Sequence, residues 1–468
     1  MAQQPASTDA PHTNSSSLQP TAPAFQPATF ATHATSSAEA IYIEKEYTAH
    51  NYHPLPIVFA RASGCDVWDP EGNHYLDFLS AYSAVNQGHC HPRLVKALCQ
   101  QAERLTLSSR AFHNDVFPKW AQKIKSIFHY DMVLPMNTGA EAVETAIKIA
   151  RKWAYKVKGI PAHKALVFSA AGNFHGRTMT AVSLSVDSES RENYGPYLPG
   201  VGASCPVTHN TIHFDSVSDL EAALAAHGHE TAAFIVEPIQ GEAGVVIPAD
   251  DYLTRVHQVC KEHNVLLICD EIQTGMGRTG RVLCSEWAGI KADMIVLGKA
   301  ISGGMYPVSC VLGSKEIMLT IEPGTHGSTY GGNPLGCAVS ICALEIMETE
   351  DLAGRAEAMG IILREGITKL NSPLIKKVRG KGLLNAIVID DSRNSQHTAW
   401  DICIMLKQKG LLAKPTHENI IRLAPPLIIS EVMIQEAIKI IRETFQELTN
   451  DLGEVKEDES GQQTLTPE

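Results

Sequence analysis

The sequence predicts an α/β protein: a large domain on a mostly parallel sheet, with a smaller α+β domain built from both chain ends. Three observations carry this. Short apolar runs at 132–136, 165–168, 233–236, 265–270 and 294–297 alternate with helical patterns through the middle of the chain. The downstream ends of these runs carry most of the distinctive polar residues, as expected of parallel strands buried on both faces. After about residue 345 the pattern changes to a helix, a strand at 383–389 and a closing helix.

In chain order, residues 1–40 are dominated by Ala, Ser, Thr, Pro and Gln and are expected to be disordered, having few bulky apolar side chains to bury. They contain no Lys or Arg, unlike an Arg-rich transit peptide, and lack the basic start and apolar core of a secretory signal, which predicts a cytoplasmic protein. Residues 41–88 are assigned to the smaller domain, with a hairpin turn around 67–73. Residues 89–344 form the large domain and 345–450 the rest of the small one. The closing helix there presents Ile434, Ala437, Ile438, Ile441, Phe445 and Leu448 on one face. Residues 451–468, acidic and polar, read as a disordered tail.

Composition narrows the function. A chain of 468 residues, 44% hydrophobic, can bury two sizeable cores, and no apolar stretch is long enough to span a bilayer. The net charge of −12, from 39 basic and 51 acidic residues without a Lys/Arg block, argues against nucleic acid as a partner. The 11 cysteines, odd in number and never in a CxxC arrangement, point to reduced thiols. Three adjacent side chains, His89, Cys90 and His91, cannot all reach one ion from an extended segment, so no metal is expected.

The chemistry centres on Asp270 and Lys299. Asp270 closes the run 265–270, and Lys299 follows Gly298 after the run 294–297. In open α/β sheets ligands sit beyond the carboxyl ends of the strands, so both groups face one crevice. An amine that forms an imine and an acid that keeps a pyridine nitrogen protonated are the parts that pyridoxal phosphate (PLP) requires. A surface lysine and a turn aspartate are the plain alternative. Lys299, however, lies between an apolar run and Ala300-Ile301-Ser302-Gly303-Gly304, and a lysine in an apolar site sheds its proton more readily.

Other candidates lie at the same sheet edge. Thr138 and Glu141 fit a capping box for a helix opened by Gly139 and Ala140, with Val143, Ala146, Ile147 and Ala150 on its apolar face. Its N-terminus is a seat for a phosphate, or simply an ordinary capped helix. The loop from His326 to Pro334, with Ser328 and Thr329, offers further donors to a phosphate. Phe174 is suited to stack on a pyridine ring and Arg177 to grip a carboxylate, although a loop arginine is more often a surface charge. The glycines 275, 277 and 280 match GxGxxG, but no helix pattern follows them, so a nicotinamide site is not expected.

With these residues in place, the chain resembles the class III (subgroup II) aminotransferases of PLP fold type I, from about residue 41 to 448. The likeness is carried by Asn51-Tyr52-His53-Pro54-Leu55-Pro56, Tyr82-Ser83-Ala84-Val85-Asn86-Gln87-Gly88-His89, Asp270-Glu271-Ile272-Gln273-Thr274-Gly275 and Gly298-Lys299. The resemblance implies that Lys299 forms the internal imine and shuttles the proton, while Asp270 pairs with the pyridine nitrogen. It implies that Gly139 and Ala140 bind the phosphate, Phe174 and Ile272 sandwich the ring, and Gln273 contacts its phenolic oxygen. Ser328 and Thr329 would reach the phosphate of a neighbouring subunit, giving a homodimer with active sites at the interface.

Within the family the ornithine-acting members are the most similar. That implies a ping-pong conversion of L-ornithine and 2-oxoglutarate to glutamate 5-semialdehyde, which cyclises to pyrroline-5-carboxylate, and glutamate. Arg177 and Tyr52 would take the ornithine α-carboxylate, and Tyr82 would orient the distal amine. Glu242 would mask Arg422 in the first half-reaction and release it to 2-oxoglutarate in the second. Read without the resemblance, Glu242 and Arg422 are better taken as a permanent ion pair, and Tyr52 and Tyr82 as core aromatics. The alternatives are N-acetylornithine or 4-aminobutyrate as the amine, and, in a different class, a non-catalytic scaffold that keeps the fold.

Overall fold

The computed structural model describes residues 33–206, 208–393 and 397–461. Its centre is a seven-stranded sheet. After the N-terminal strands β1 (Arg61–Ser63), β2 (Asp66–Trp68) and β3 (His74–Asp77), it takes β4 (Met132–Met136), β5 (Leu166–Ser169), β6 (Val201–Gly202), β7 (Thr231–Val236), β8 (Leu266–Asp270), β9 (Met294–Leu297) and β10 (Ser309–Gly313). The order is β4-β10-β9-β8-β7-β5-β6, with β10 antiparallel to both its neighbours and the other pairs parallel. Strand β10 was not among the expected strands.

Each central strand feeds two cores by period-two alternation. Phe234 and Val236, Leu267 and Cys269, and Ile295 and Leu297 enter the larger cluster, whereas Ala233 and Ile235, Leu266 and Ile268, and Met294 and Val296 enter the other. The helix Gly139–Trp153 covers the second face, burying Ala142, Val143, Ala146, Ile147, Ile149, Ala150 and Trp153.

The chain ends meet beside this sheet. Strands β11 (Ile375–Lys381), β12 (Leu384–Ile389), β13 (Leu411–Leu412), β14 (Lys414–Thr416) and β15 (Ile420–Leu423) complete the set. β11-β12-β15-β14 form one antiparallel sheet, while β13 pairs in parallel with β3 and so extends the N-terminal hairpin sheet. The six apolar residues expected on the closing helix are all buried. Arg278, fully buried, joins the parts: it donates to Leu383 O, Pro425 O and Asn86 Oδ1.

Two boundaries differ from expectation. Disorder through residue 40 is corrected at its end, because the helix Ser37–Tyr47 starts earlier, with Ser36 accepting the N–H of Glu39; this local cap outweighs the polar composition. Residues 1–32 lie outside the described residues. The backbone of the closing helix, Glu431–Gly461, runs past residue 450, and 462–468 lie outside the described residues. Among the described residues no helix is long and apolar enough to cross a membrane.

Candidate active site

Lys299 stands where β9 ends. Gly298 is extended and packs against Gly139, where an added Cβ would lie 3.5 Å from the Gly139 Cα. Lys299 then takes a positive φ of 46° as the first residue of the 3-10 turn Lys299–Ser302. The buried Gln87 amide donates to Ala300 O, which fixes this turn from the N-terminal segment. Burial and the nearby Arg422 charge hold the Lys299 amine down to about 8, against the opposing pull of Glu242, Asp270 and Glu237. Near neutrality this lysine is within reach of its nucleophilic form.

Asp270, the last residue of β8, is buried and fully engaged. Its Oδ1 accepts the Ile272 N–H at 3.1 Å, and its Oδ2 accepts from His175 Nδ1 at 2.7 Å. Burial works against a charged His175 ring, but the Asp270 hydrogen bond and the charges of Asp270 and Glu237 win, so its pKa is raised. Behind it Glu237, just past β7, is pushed up to about 7 by burial and the Asp270 charge, although it accepts the N–H groups of Phe174 and Gly241. His175 and Glu237 are functional candidates that the sequence reading passed over. His175 stood in a segment already singled out, but its partner lies 95 residues away and no spacing signals the pair.

A cavity of ≈ 170 Å³ is lined by Gly139, Ala140, Phe174, Asp270, Ile272, Gln273 and Lys299, seven of the nine residues expected at a cofactor. Thr138 caps the helix Gly139–Trp153 with both halves of the capping box present, leaving the first N–H groups at the cavity mouth. At Gly139 a Cβ would come within 2.8 Å of Ile272 Cδ1, so any larger residue would push Ile272 aside. Ser328 and Thr329 do not line this cavity. Ser328 accepts from Asn137 Nδ2 at 3.0 Å, and Thr329 is exposed.

None of the residues expected to take substrate lines this cavity; Glu242 and Arg422 meet it through Gln273. Arg422, on β15, is fully buried; it donates through Nη1 to Glu242 Oε1 at 2.9 Å and through Nη2 to Gln273 Oε1 at 2.6 Å. Gln273 returns a hydrogen bond from Nε2 to Glu242 Oε1 at 2.9 Å, so its amide is engaged at both ends. The half-buried Tyr82 ring lies 5.7 Å from the Arg422 guanidinium. Burial, then the charges of Glu242 and Tyr52, raise its phenol pKa. Tyr52 is exposed, and Arg177, also exposed, holds its guanidinium 5.3 Å from the Phe174 ring. The glycines at 275–280 open no helix. His89 and His91 bond to different carboxylates, Asp77 and Glu350.

The arrangement suits PLP. A lysine with a depressed pKa faces a carboxylate buttressed by a buried histidine, the cavity walls offer the Phe174 ring and the aliphatic Ile272 as apolar surfaces, and a helix N-terminus is open to an anion.

Comparison with known proteins agrees. The model of the family described as aminotransferase class-III matches residues 47–445. The ornithine aminotransferase of Emericella nidulans is 65% identical over 418 residues, 89% of this chain and 92% of that protein. The mitochondrial ornithine aminotransferase of Rattus norvegicus is 53% identical over 402 residues, 86% of this chain and 89% of that one. A solved ornithine aminotransferase from Toxoplasma gondii, described with partial PLP occupancy at its active site, gives a TM-score of 0.85 at 44% identity, covering 90% of this chain and 96% of that chain. An acetylornithine aminotransferase from Elizabethkingia anophelis gives 0.78 at 48% identity, covering 88% and 100%. With most of its length matched by the family model, and with relatives this similar along nearly their whole length, the chain belongs to the class-III aminotransferases.

Proposed function

We propose that the chain is a PLP-dependent ornithine δ-aminotransferase, converting L-ornithine and 2-oxoglutarate to glutamate 5-semialdehyde and glutamate. The observation that carries the substrate is the Glu242–Arg422 pair with Gln273, close enough to Lys299 for both charges to act on its amine. When bound, PLP supplies an electron sink for the carbanion that amino-group transfer passes through.

The chain's own residues do the rest. Lys299, with its lowered pKa, would hold the cofactor and serve as the proton carrier. Asp270, held by His175, would keep a pyridine nitrogen protonated. The N–H groups of Gly139 and Ala140 would hold the phosphate, and Phe174 and Ile272 would flank the ring.

Two half-reactions place a carboxylate differently in one site. Ornithine enters amine first, its α-carboxylate taken by Arg177 and Tyr52, while Glu242 and Gln273 keep Arg422 occupied. For 2-oxoglutarate, whose carbonyl lies beside its α-carboxylate, Arg422 turns from Glu242 to that carboxylate. A bidentate arginine would otherwise capture the wrong end of ornithine.

The reading includes a homodimer in which Ser328 and Thr329 of each subunit serve the other's cofactor phosphate. Neither lines the chain's own cavity, and Ser328 bonds Asn137 just ahead of the helix Gly139–Trp153, which supports this role. It extends to the cytoplasm on the composition of residues 1–40, which hold neither Lys nor Arg; mitochondrial signal from the tagged full chain would refute that part.

Turnover of ornithine, N-acetylornithine and 4-aminobutyrate, each with 2-oxoglutarate, tests the assignment. Ornithine is expected to give the highest kcat/KM. A preference for N-acetylornithine, the second reading raised by the Elizabethkingia relative, would overturn it. Borohydride reduction and peptide mapping should find the pyridoxyl label on Lys299.

A further inference from the structure

We propose that Asp77 and His89 are a positioning pair that holds Tyr82 beside the Glu242–Arg422 pair and thereby sets the preference for ornithine over 4-aminobutyrate, an inference that rests on the ornithine reading above, with Tyr82 orienting the distal amine. The observation behind it is a left-handed turn. Ser80, Ala81, Tyr82 and Ser83 take φ of 52°, 47°, 59° and 70°, four consecutive L-residues in a region where the Cβ crowds the following carbonyl oxygen. Single residues visit it; runs persist only where the surroundings over-determine them.

The turn's own side chains do not supply that determination. The hydroxyls of Ser80 and Ser83 are buried and make no hydrogen bond. The holding comes from outside. Asp77 Oδ1 accepts the N–H groups of Leu79 at 2.8 Å and Ser80 at 3.0 Å, fixing the entry to the turn. Its Oδ2 bonds His89 Nε2 at 2.8 Å, which ties the entry to the far end of the same loop. The His89 backbone in turn exchanges hydrogen bonds with Gly64 at 2.9 and 2.8 Å, and the Asp77 N–H donates to Cys65 O, so both ends are anchored on the β1–β2 hairpin. Asp77 is buried and His89 nearly so.

The consequence falls on Tyr82, in the middle of the strained run. In a right-handed turn its Cα–Cβ bond would point elsewhere, and the ring would leave its place 5.7 Å from the Arg422 guanidinium. Asp77 and His89 are therefore expected to act on substrate choice through Tyr82, without touching substrate.

The test measures kcat and KM for ornithine and 4-aminobutyrate on the PLP-loaded enzyme. His89→Ala should lower the ornithine to 4-aminobutyrate ratio of kcat/KM by about tenfold, in the direction set by Tyr82→Ile, chiefly through the ornithine KM. His89→Gln, which restores a donor to Asp77, should recover most of the ratio. In the Tyr82→Ile background His89→Ala should change the ratio by less than about twofold, because the pair acts only through that ring. An unchanged ratio in His89→Ala, or an effect that adds fully to Tyr82→Ile, overturns the proposal: a merely structural role would lower both substrates together. If His89→Ala does not fold, Asp77→Asn, which keeps an acceptor for the Leu79 and Ser80 N–H groups and weakens the bond to His89, is measured in the same way, with the same fall in the ratio expected and an unchanged ratio overturning the proposal. Wild-type protein that ignores ornithine overturns the functional reading itself, whereas an unchanged ratio overturns the pair alone.

Discussion

Lys299→Met replaces a chargeable amine by an apolar side chain of similar length, and its effect on the apo-enzyme is opposite to that of most active-site losses. The folded Lys299 titrates at about 8 against 10.5 for a free lysine. Below about 8 both folded and unfolded chains carry the proton, and the fold bears the whole cost of the buried ammonium, about 3 kcal/mol at 1.4 kcal/mol per pH unit. Between about 8 and 10.5 the unfolded chain binds more protons than the folded one, so wild-type stability rises with pH relative to the variant. The same linkage leaves a cost of about 2 kcal/mol at pH 9 and below about 1 kcal/mol at pH 10. Paired thermal unfolding of apo wild type and variant from pH 7 to 10.5 cancels every other titrating group. Lys299→Met should melt higher at pH 7, and the gap should close towards pH 10.5. A gap independent of pH, or a variant less stable at pH 7, would refute the claim that desolvation sets this amine.

Other substitutions probe the remaining groups. His175→Phe leaves Asp270 Oδ2 without its donor; a charge-assisted hydrogen bond of about 1.5–3 kcal/mol predicts a fall in kcat of about 10- to 100-fold, read in steady-state assays, with folding intact by circular dichroism. Glu242→Gln unmasks Arg422, so the ornithine kcat/KM should drop about 10- to 100-fold while the 2-oxoglutarate KM does not rise; equal losses for both substrates would count against the gate. Gly139→Val places a side chain where Ile272 Cδ1 already stands, and PLP affinity by fluorescence titration should weaken at least about tenfold. Asp270→Ala should cost about 10²–10⁴-fold in kcat.

Much of the candidate site was legible because chain order delivers it. Asp270, Lys299, Gly139 and Phe174 each lie at or just beyond a strand end, and a parallel sheet brings such ends to one edge whatever the loops do. β10 escaped notice because Ser309 and Gly313 dilute a short run, yet every residue in it is buried between β4 and β9. The start of the helix Ser37–Tyr47 was hidden by a polar composition that a single Ser36 cap overrides.

The sequence by itself determined the fold class and the cofactor chemistry, and set Asp270 and Lys299 at strand ends as candidates, because periodicity and residue type act locally and are written in consecutive positions. Only the tertiary structure decided who stands behind them. His175 reaches Asp270, Gln273 bridges Glu242 and Arg422, and Asp77 closes on His89 across a left-handed turn. Those partners are set by packing between distant segments, and whether burial leaves a charged group costly or satisfied depends on that packing rather than on its neighbours in the chain.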